Sequence, residues 1–135
     1  MKKRICVIVA NYYPNISKDL YKGVSKVLKK ANIKKFDKKI APGVFEIPFI
    51  ISKYINSYDG FIAIGCVIKG ETPHFNFISK TSINGIMQLS ITNKKPIGNG
   101  IITCLNKDQA IIRSSPFKKD KGGEAAKAML LLLKI

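Results

Sequence analysis

A three-layer α/β sandwich, with a four-stranded parallel sheet flanked by helices on both faces, is the fold class that three observations predict. Strand-like and helix-like stretches alternate along the chain. The strand stretches are nearly continuously apolar, as strands covered on both faces must be. No linker, internal repeat or low-complexity tract interrupts the 135 residues, which suit one core and a single domain over 1–135. Hydrophobic residues make up 46% and charged residues 24%, a globular balance that excludes wholesale disorder.

Ile5–Ala10 is a short apolar run and reads as the first strand. Met1-Lys2-Lys3-Arg4 before it mimics a signal peptide, but the apolar part is brief and ends in Asn11-Tyr12-Tyr13-Pro14 without a small-residue cleavage site. Secretion and membrane insertion are therefore not expected, and no apolar stretch approaches a membrane span. From Ser17 to Lys30, Leu20, Val24, Val27 and Leu28 recur at helical spacing, with Pro14 and Ser17 as start signals. Phe36–Ile40 is a weak strand candidate. Ile47, Ile50, Ile51, Tyr54 and Ile55 show helical spacing again, with Pro48 in the tolerated first turn. Asp59-Gly60 marks a turn into Phe61–Ile68, the clearest buried strand. Phe75, Ile78, Ser82, Ile86 and Leu89 share one face of a long helix, and Pro96 precedes a strand at Ile97–Cys104. Gln109–Arg113 reads as a short helix, and Gly122–Leu133 as a last one with Ala125, Ala128, Met129, Leu132 and Leu133 inward.

The net charge of +16 raises the question of a polyanion partner. Of the 24 basic residues 22 are Lys, and only Arg4 and Arg113 offer the bidentate guanidinium that base and phosphate recognition favours. The lysines are scattered in pairs and accompany 22 isoleucines, which points to compositional drift rather than to specific nucleic-acid binding. Cys6, Cys66 and Cys104 are odd in number, lack C-x-x-C spacing and sit in strand-like stretches. They read as buried hydrophobes in a reducing cytoplasm, and one His with three scattered Cys predicts no metal site.

In parallel α/β sheets ligands sit beyond the carboxyl ends of the strands. Those ends are Asn11-Tyr12-Tyr13, Ala41-Pro42-Gly43, Lys69–His74 and Cys104-Leu105-Asn106. The run from Gly65 to His74 takes a strand through a glycine-bearing turn to a helix start, with Thr72 as expected N-cap and Pro73 as first helical residue. Free N–H groups there suit an anion, and His74 adds a proton-transfer group; a plain helix start with a surface His fits as well. At Pro42–Pro48 a turn leads into Phe45 and Glu46, an apolar wall and a hydroxyl acceptor, or simply a favourable first-turn carboxylate. Tyr12 offers a stacking platform, and Arg113 a phosphate clamp or a surface ion-pair partner. The G-x-G-x-x-G and G-x-x-x-x-G-K-[ST] motifs are missing, which counts against dinucleotide and NTP binding.

Four ordered motifs then resemble the 6,7-dimethyl-8-ribityllumazine synthase family over nearly the whole chain. P-G-x-F-E-I-P stands as Pro42–Pro48, G-x-V-I-[RK]-G-x-T-x-H as Gly65–His74, Q-A-x-x-R as Gln109–Arg113 and K-G-x-E-A-A as Lys121–Ala126. The resemblance implies a flavodoxin-like fold and a transferase of riboflavin biosynthesis that needs no cofactor and no metal. Such an enzyme condenses 5-amino-6-(D-ribitylamino)uracil with 3,4-dihydroxy-2-butanone 4-phosphate. By position, Tyr12 would stack on the pyrimidine, and Val44, Phe45 and Glu46 would bind the ribityl chain and ring edge. Cys66, Val67 and Ile68 would hold the ring through backbone groups, with Asn99 where many members carry Phe. Glu71, Thr72 and Arg113 would take the phosphate, with Lys121 as an additional candidate, and His74 would shuttle protons. The expected partners are small-molecule substrates and further copies of the chain, with no membrane and no specific nucleic acid. The family arrangement is a homopentamer with sites shared between neighbours, in some members stacked into an icosahedral 60-mer. The N-terminus begins almost at the first strand, without an arm to pair with a neighbour, and Ser114–Asp120 lacks the glycines of capsid-forming members. Both favour isolated pentamers. The competing reading is a non-catalytic lumazine- or flavin-binding protein on the same scaffold, which would need neither His74 nor Arg113.

Overall fold

The computed structural model describes residues 2–135. Four strands, β1 (Ile5–Ala10), β2 (Asp37–Ala41), β3 (Gly60–Ile68) and β4 (Ile97–Cys104), form one sheet in the order β2-β1-β3-β4. Every pairing is parallel. The helices are α1 (Pro14–Lys30), α2 (Ile47–Lys53), α3 (His74–Asn93), α4 (Lys107–Ser114) and α5 (Lys121–Leu133), with a 3₁₀ turn at Val44–Glu46 leading into α2. The expected α/β sandwich is the architecture found.

Side-chain alternation sorts the central strands into two cores. Val7 and Val9 of β1 and Ile62 and Ile64 of β3 meet Leu20, Val24 and Leu28 of α1 and Ala125, Ala126 and Met129 of α5. Cys6, Ile8 and Ala10, with Phe61 and Ala63, point the other way, onto Ile47 and Ile51 of α2 and Ile86 of α3. This two-sided burial is why β1 and β3 read as unbroken apolar runs. β2 reads weakly because it is an edge strand carrying lysines, a device that blunts an edge against further pairing. Lys38 lies 4.3 Å from the ring centre of Tyr21, and Lys39 lies 4.0 Å from that of Tyr54.

Several boundaries differ from the sequence reading. α1 begins at Pro14, and Ser17 is a turn inside it, its hydroxyl donating to the Ala10 carbonyl at 2.6 Å. β2 is shifted one residue, because Phe36 packs beside Tyr21 in the α1-side core instead of entering the ladder. α3 starts at His74, with Pro73 at the cap. Thr72 is therefore not the N-cap, although its Oγ1 accepts a 3.4 Å hydrogen bond from the His74 N–H. α4 is longer than Gln109–Arg113 because the Asn106 side chain caps it, accepting from the Gln109 N–H at 2.9 Å.

On α5, Ala125 and Met129 are buried and Leu133 partly so, but Ala128 and Leu132 face outward while Ala126 turns in. The reason is the close seating of α5. A Cβ at Gly122 would overlap the Leu20 carbonyl oxygen of α1, and one at Gly98 would overlap the Ala125 carbonyl oxygen of α5. The helix thus rolls its small residues towards both neighbours. The turn before it is made without glycine, since Asp120 takes the left-handed conformation (φ 45°) and caps α5 by accepting from the Gly123 N–H at 3.1 Å.

Replacing Gly122 with Ala puts a methyl group against backbone that cannot swing aside. The expected loss is in the upper part of the ~1–3 kcal/mol range of overpacking, read as a lowered urea midpoint at unchanged slope.

Candidate active site

The strand order places α1 and α5 on one face and α2 and α3 on the other, so the connections leaving β1 and β3 diverge between those strands. Such a switch point opens a crevice beyond the carboxyl ends. A cleft of about 770 Å³ lies there. Tyr12 and Tyr13 after β1, Pro42–Glu46 after β2, and Cys66, Val67 and Ile68 at the end of β3 line it, closed by Gly70, Thr72, His74, Phe75 and Ile78. Tyr12 and Phe45 are 70% and 56% exposed, large rings that the core leaves for another purpose. Tyr12 is braced edge-on by Tyr13, ring centres 5.0 Å apart. Glu46 is half-buried, its Oε1 lying over Gly43. His74 is exposed at the first turn of α3. Its own N–H goes to Thr72 Oγ1 and the Asn76 N–H to the Pro73 carbonyl, so the free N–H groups expected from the sequence are largely taken.

Asn99, Arg113 and Lys121 do not join this group. They line a second cleft of about 520 Å³ against β4, α4 and α5, with Thr103 and Glu124. Lys69 N–H bonds the Cys104 carbonyl and Phe61 N–H bonds the Pro96 carbonyl, so even-numbered residues of β4 face β3 and odd-numbered ones face the free edge. Asn99 Oδ1 accepts from the edge-facing Ile101 N–H at 3.1 Å, and Arg113 Nη1 donates to the Thr103 carbonyl at 3.1 Å. Lys121 pairs with Glu124 at 3.2 Å, the one salt bridge among the described residues, so no carboxylate lies within ion-pair distance of Arg113. Glu71 is exposed and lies outside the lining of both clefts.

One chain therefore carries two separate clefts of different chemistry. The first offers aromatic walls, strand-end backbone groups and an imidazole, which suit a planar polar heterocycle and proton transfer. The second offers a guanidinium without a salt-bridge partner, suited to an anion. Among the described residues, no three His, Cys, Asp or Glu side chains gather as a metal-binding group.

The family model for 6,7-dimethyl-8-ribityllumazine synthase matches residues 2–135. The chain belongs to the lumazine synthase family. A 6,7-dimethyl-8-ribityllumazine synthase of Bartonella tribocorum is 39% identical over 98% of this chain and 89% of its own length. That of Novosphingobium aromaticivorans is 42% identical over 96% and 94%. The 6,7-dimethyl-8-ribityllumazine synthase 1 of Rhodopseudomonas palustris is 40% identical over 98% and 85%.

Nine of the candidates drawn from the sequence (Tyr12, Val44, Phe45, Glu46, Cys66, Val67, Ile68, Thr72 and His74) meet in the first cleft. Sequence reasoning passed over Tyr13, Phe75 and Ile78 as lining residues. Tyr13 could have been found from its place beside Tyr12 at a strand end; Phe75 and Ile78 carry only a core-like signal.

The three cysteines are free and buried. Burial pushes the Cys66 thiol up to about 12, with neighbouring Cys104 adding to the shift, and pushes Cys6 up to about 11. The native state thus keeps protons that an unfolded thiol sheds from its ordinary value of 9.0. The stability this gives is whole below pH 9.0 and is lost as pH climbs towards about 11 for Cys6 and about 12 for Cys66. Denaturant titrations should show declining stability from about pH 9 upward, less steep in Cys66→Ala. Iodoacetamide at pH 8 should label the native thiols far more slowly than the unfolded ones, by mass spectrometry.

Proposed function

We propose that the chain condenses 5-amino-6-(D-ribitylamino)uracil with 3,4-dihydroxy-2-butanone 4-phosphate to 6,7-dimethyl-8-ribityllumazine, releasing phosphate and water in the penultimate step of riboflavin biosynthesis. The observation that carries this is the cleft at the β1/β3 switch point, where exposed aromatic rings, strand-end backbone and His74 converge. Tyr12 stacks on the pyrimidine. Val44, Phe45 and Glu46 bind the ribityl chain and ring edge, and the backbone of Cys66–Ile68 holds the ring. Thr72 and Glu71 border the phosphate at the start of α3, with Arg113 as its clamp. The substrate amine attacks the carbonyl and one water leaves to give an imine. Phosphate is then eliminated, and the ribitylamino nitrogen closes the ring on the remaining carbonyl with loss of a second water. His74 moves protons in these steps, and positioning of two substrates supplies much of the rest.

The split of the candidates between two clefts supports a site shared between copies, His74 and Phe45 from one chain meeting Asn99 and Arg113 from the next. A head-to-tail contact of this kind closes into a ring, here read as a homopentamer. Outward-facing Phe77, Met87 and Ile91 give α3 an apolar surface that a neighbour would cover. No helix among the described residues is long and apolar enough to cross a membrane, and three free thiols suit a reducing cytoplasm.

Incubating the purified protein with both substrates should produce the fluorescent lumazine; binding without turnover would establish the carrier reading instead. His74→Ala should slow turnover by about 10²–10⁴-fold with little change in substrate binding. Arg113→Ala should raise KM for the phosphate substrate more than for the pyrimidine. Mixing His74→Ala and Arg113→Ala subunits after reversible dissociation, assayed at phosphate-substrate concentrations well below the raised KM, should restore wild-type behaviour to about a quarter of the sites. An intact site needs an unaltered His74 half from one chain and an unaltered Arg113 half from its neighbour. No recovery in subunits shown to exchange means that each chain holds its own complete site.

A further inference from the structure

We propose that Gln109 is a positioning residue that orients the Arg113 guanidinium for the phosphate-bearing substrate, a role that rests on reading Arg113 as the phosphate clamp. Gln109 is the third residue after the Asn106 cap, and its Oε1 reaches back to accept from the Leu105 N–H at 2.8 Å. That much is helix capping, a variant of the reciprocal capping box. The same oxygen also faces Arg113 one turn later, with Nη1 at 3.4 Å, while the Thr103 carbonyl takes Nη1 from the strand side at 3.1 Å. One nitrogen of the fork is thus held between β4 and α4, and the remaining donors stay free for a bidentate anion. Both acceptors are neutral. A carboxylate in either place would hold the guanidinium equally well but cancel the charge that a phosphate needs. Gln109 and Arg113 are four residues apart, so the helix itself sets their approach.

The test compares Gln109→Met, which keeps length and removes the acceptor, with Asn106→Ala, which removes the cap and leaves the Gln109–Arg113 contact. Both should lower the melting temperature. Only Gln109→Met should raise KM for 3,4-dihydroxy-2-butanone 4-phosphate, by roughly two- to tenfold, the equivalent of re-immobilising one long side chain, with KM for the pyrimidine unchanged. In an Arg113→Ala background the Gln109→Met change should add nothing to that KM. Equal effects on both substrates, the same rise in Asn106→Ala, or an undiminished rise in the Arg113→Ala background would reduce Gln109 to a helix cap. If Arg113→Ala alone leaves the phosphate KM unchanged, the clamp reading fails and the positioning role falls with it, while the pyrimidine cleft is untouched.

Discussion

Parallel pairing of β1 with β3, from Ile5 opposite Gly60 to Val9 opposite Ile64, decides which side chains enter which core and where the chain opens a crevice. Both strands are buried on two faces, so a slip of one residue would exchange the α1–α5 core for the α2–α3 core. Because the pairing is parallel, the strands end on the same rim. Because β1 leads on to β2 at one side and β3 to β4 at the other, right-handed crossovers carry the following loops to opposite faces. Tyr12 follows one strand end and Cys66–Ile68 form the other, and these two ends give the cleft its walls. The site is a by-product of topology before any side chain adds chemistry.

Tight seating of α5 completes that frame on one side. Gly122 against α1 and Gly98 under Ala125 let the helix lie where larger residues would hold it away. This brings Lys121 and Glu124 beside Arg113 and Asn99, so the second cleft depends on two glycines that do not line it. The loop before α5 uses Asp120 both for its left-handed turn and as the helix cap. One aspartate thus serves where a glycine and a separate capping residue could have stood.

The strands and the helix faces were legible in the sequence because burial on two sides and burial on one side write different periods. The long inward face of α3, from Phe75 through Ser82 and Ile86 to Leu89, emerged as read. What escaped was decided by pairing at a distance: Phe36 leaving the β2 ladder for Tyr21, Ser17 bonding Ala10, and α5 rolling towards Leu20. The first-cleft residues were legible because strand ends name them in advance. The separation of Asn99 and Arg113 from His74 was not a matter of local pattern. It entered with the family resemblance, and the fold expresses it as two clefts.

The free edge of β4 shows how a second copy would have to approach. An open edge offers rows of unpaired N–H and C=O groups, and the simplest association is to add a strand there. On β4 the outward Ile101 N–H is taken by Asn99 and the outward Thr103 carbonyl by Arg113. These side chains cover the middle of the edge with groups that still have donors to spare: the Asn99 amide and the rest of the Arg113 fork. A neighbour seated on this side therefore meets hydrogen-bonding side chains instead of a ladder to extend. The same two residues that keep the edge from pairing are the ones left to reach across it, so in the proposed shared site protection of the edge and completion of the site would be one arrangement of atoms.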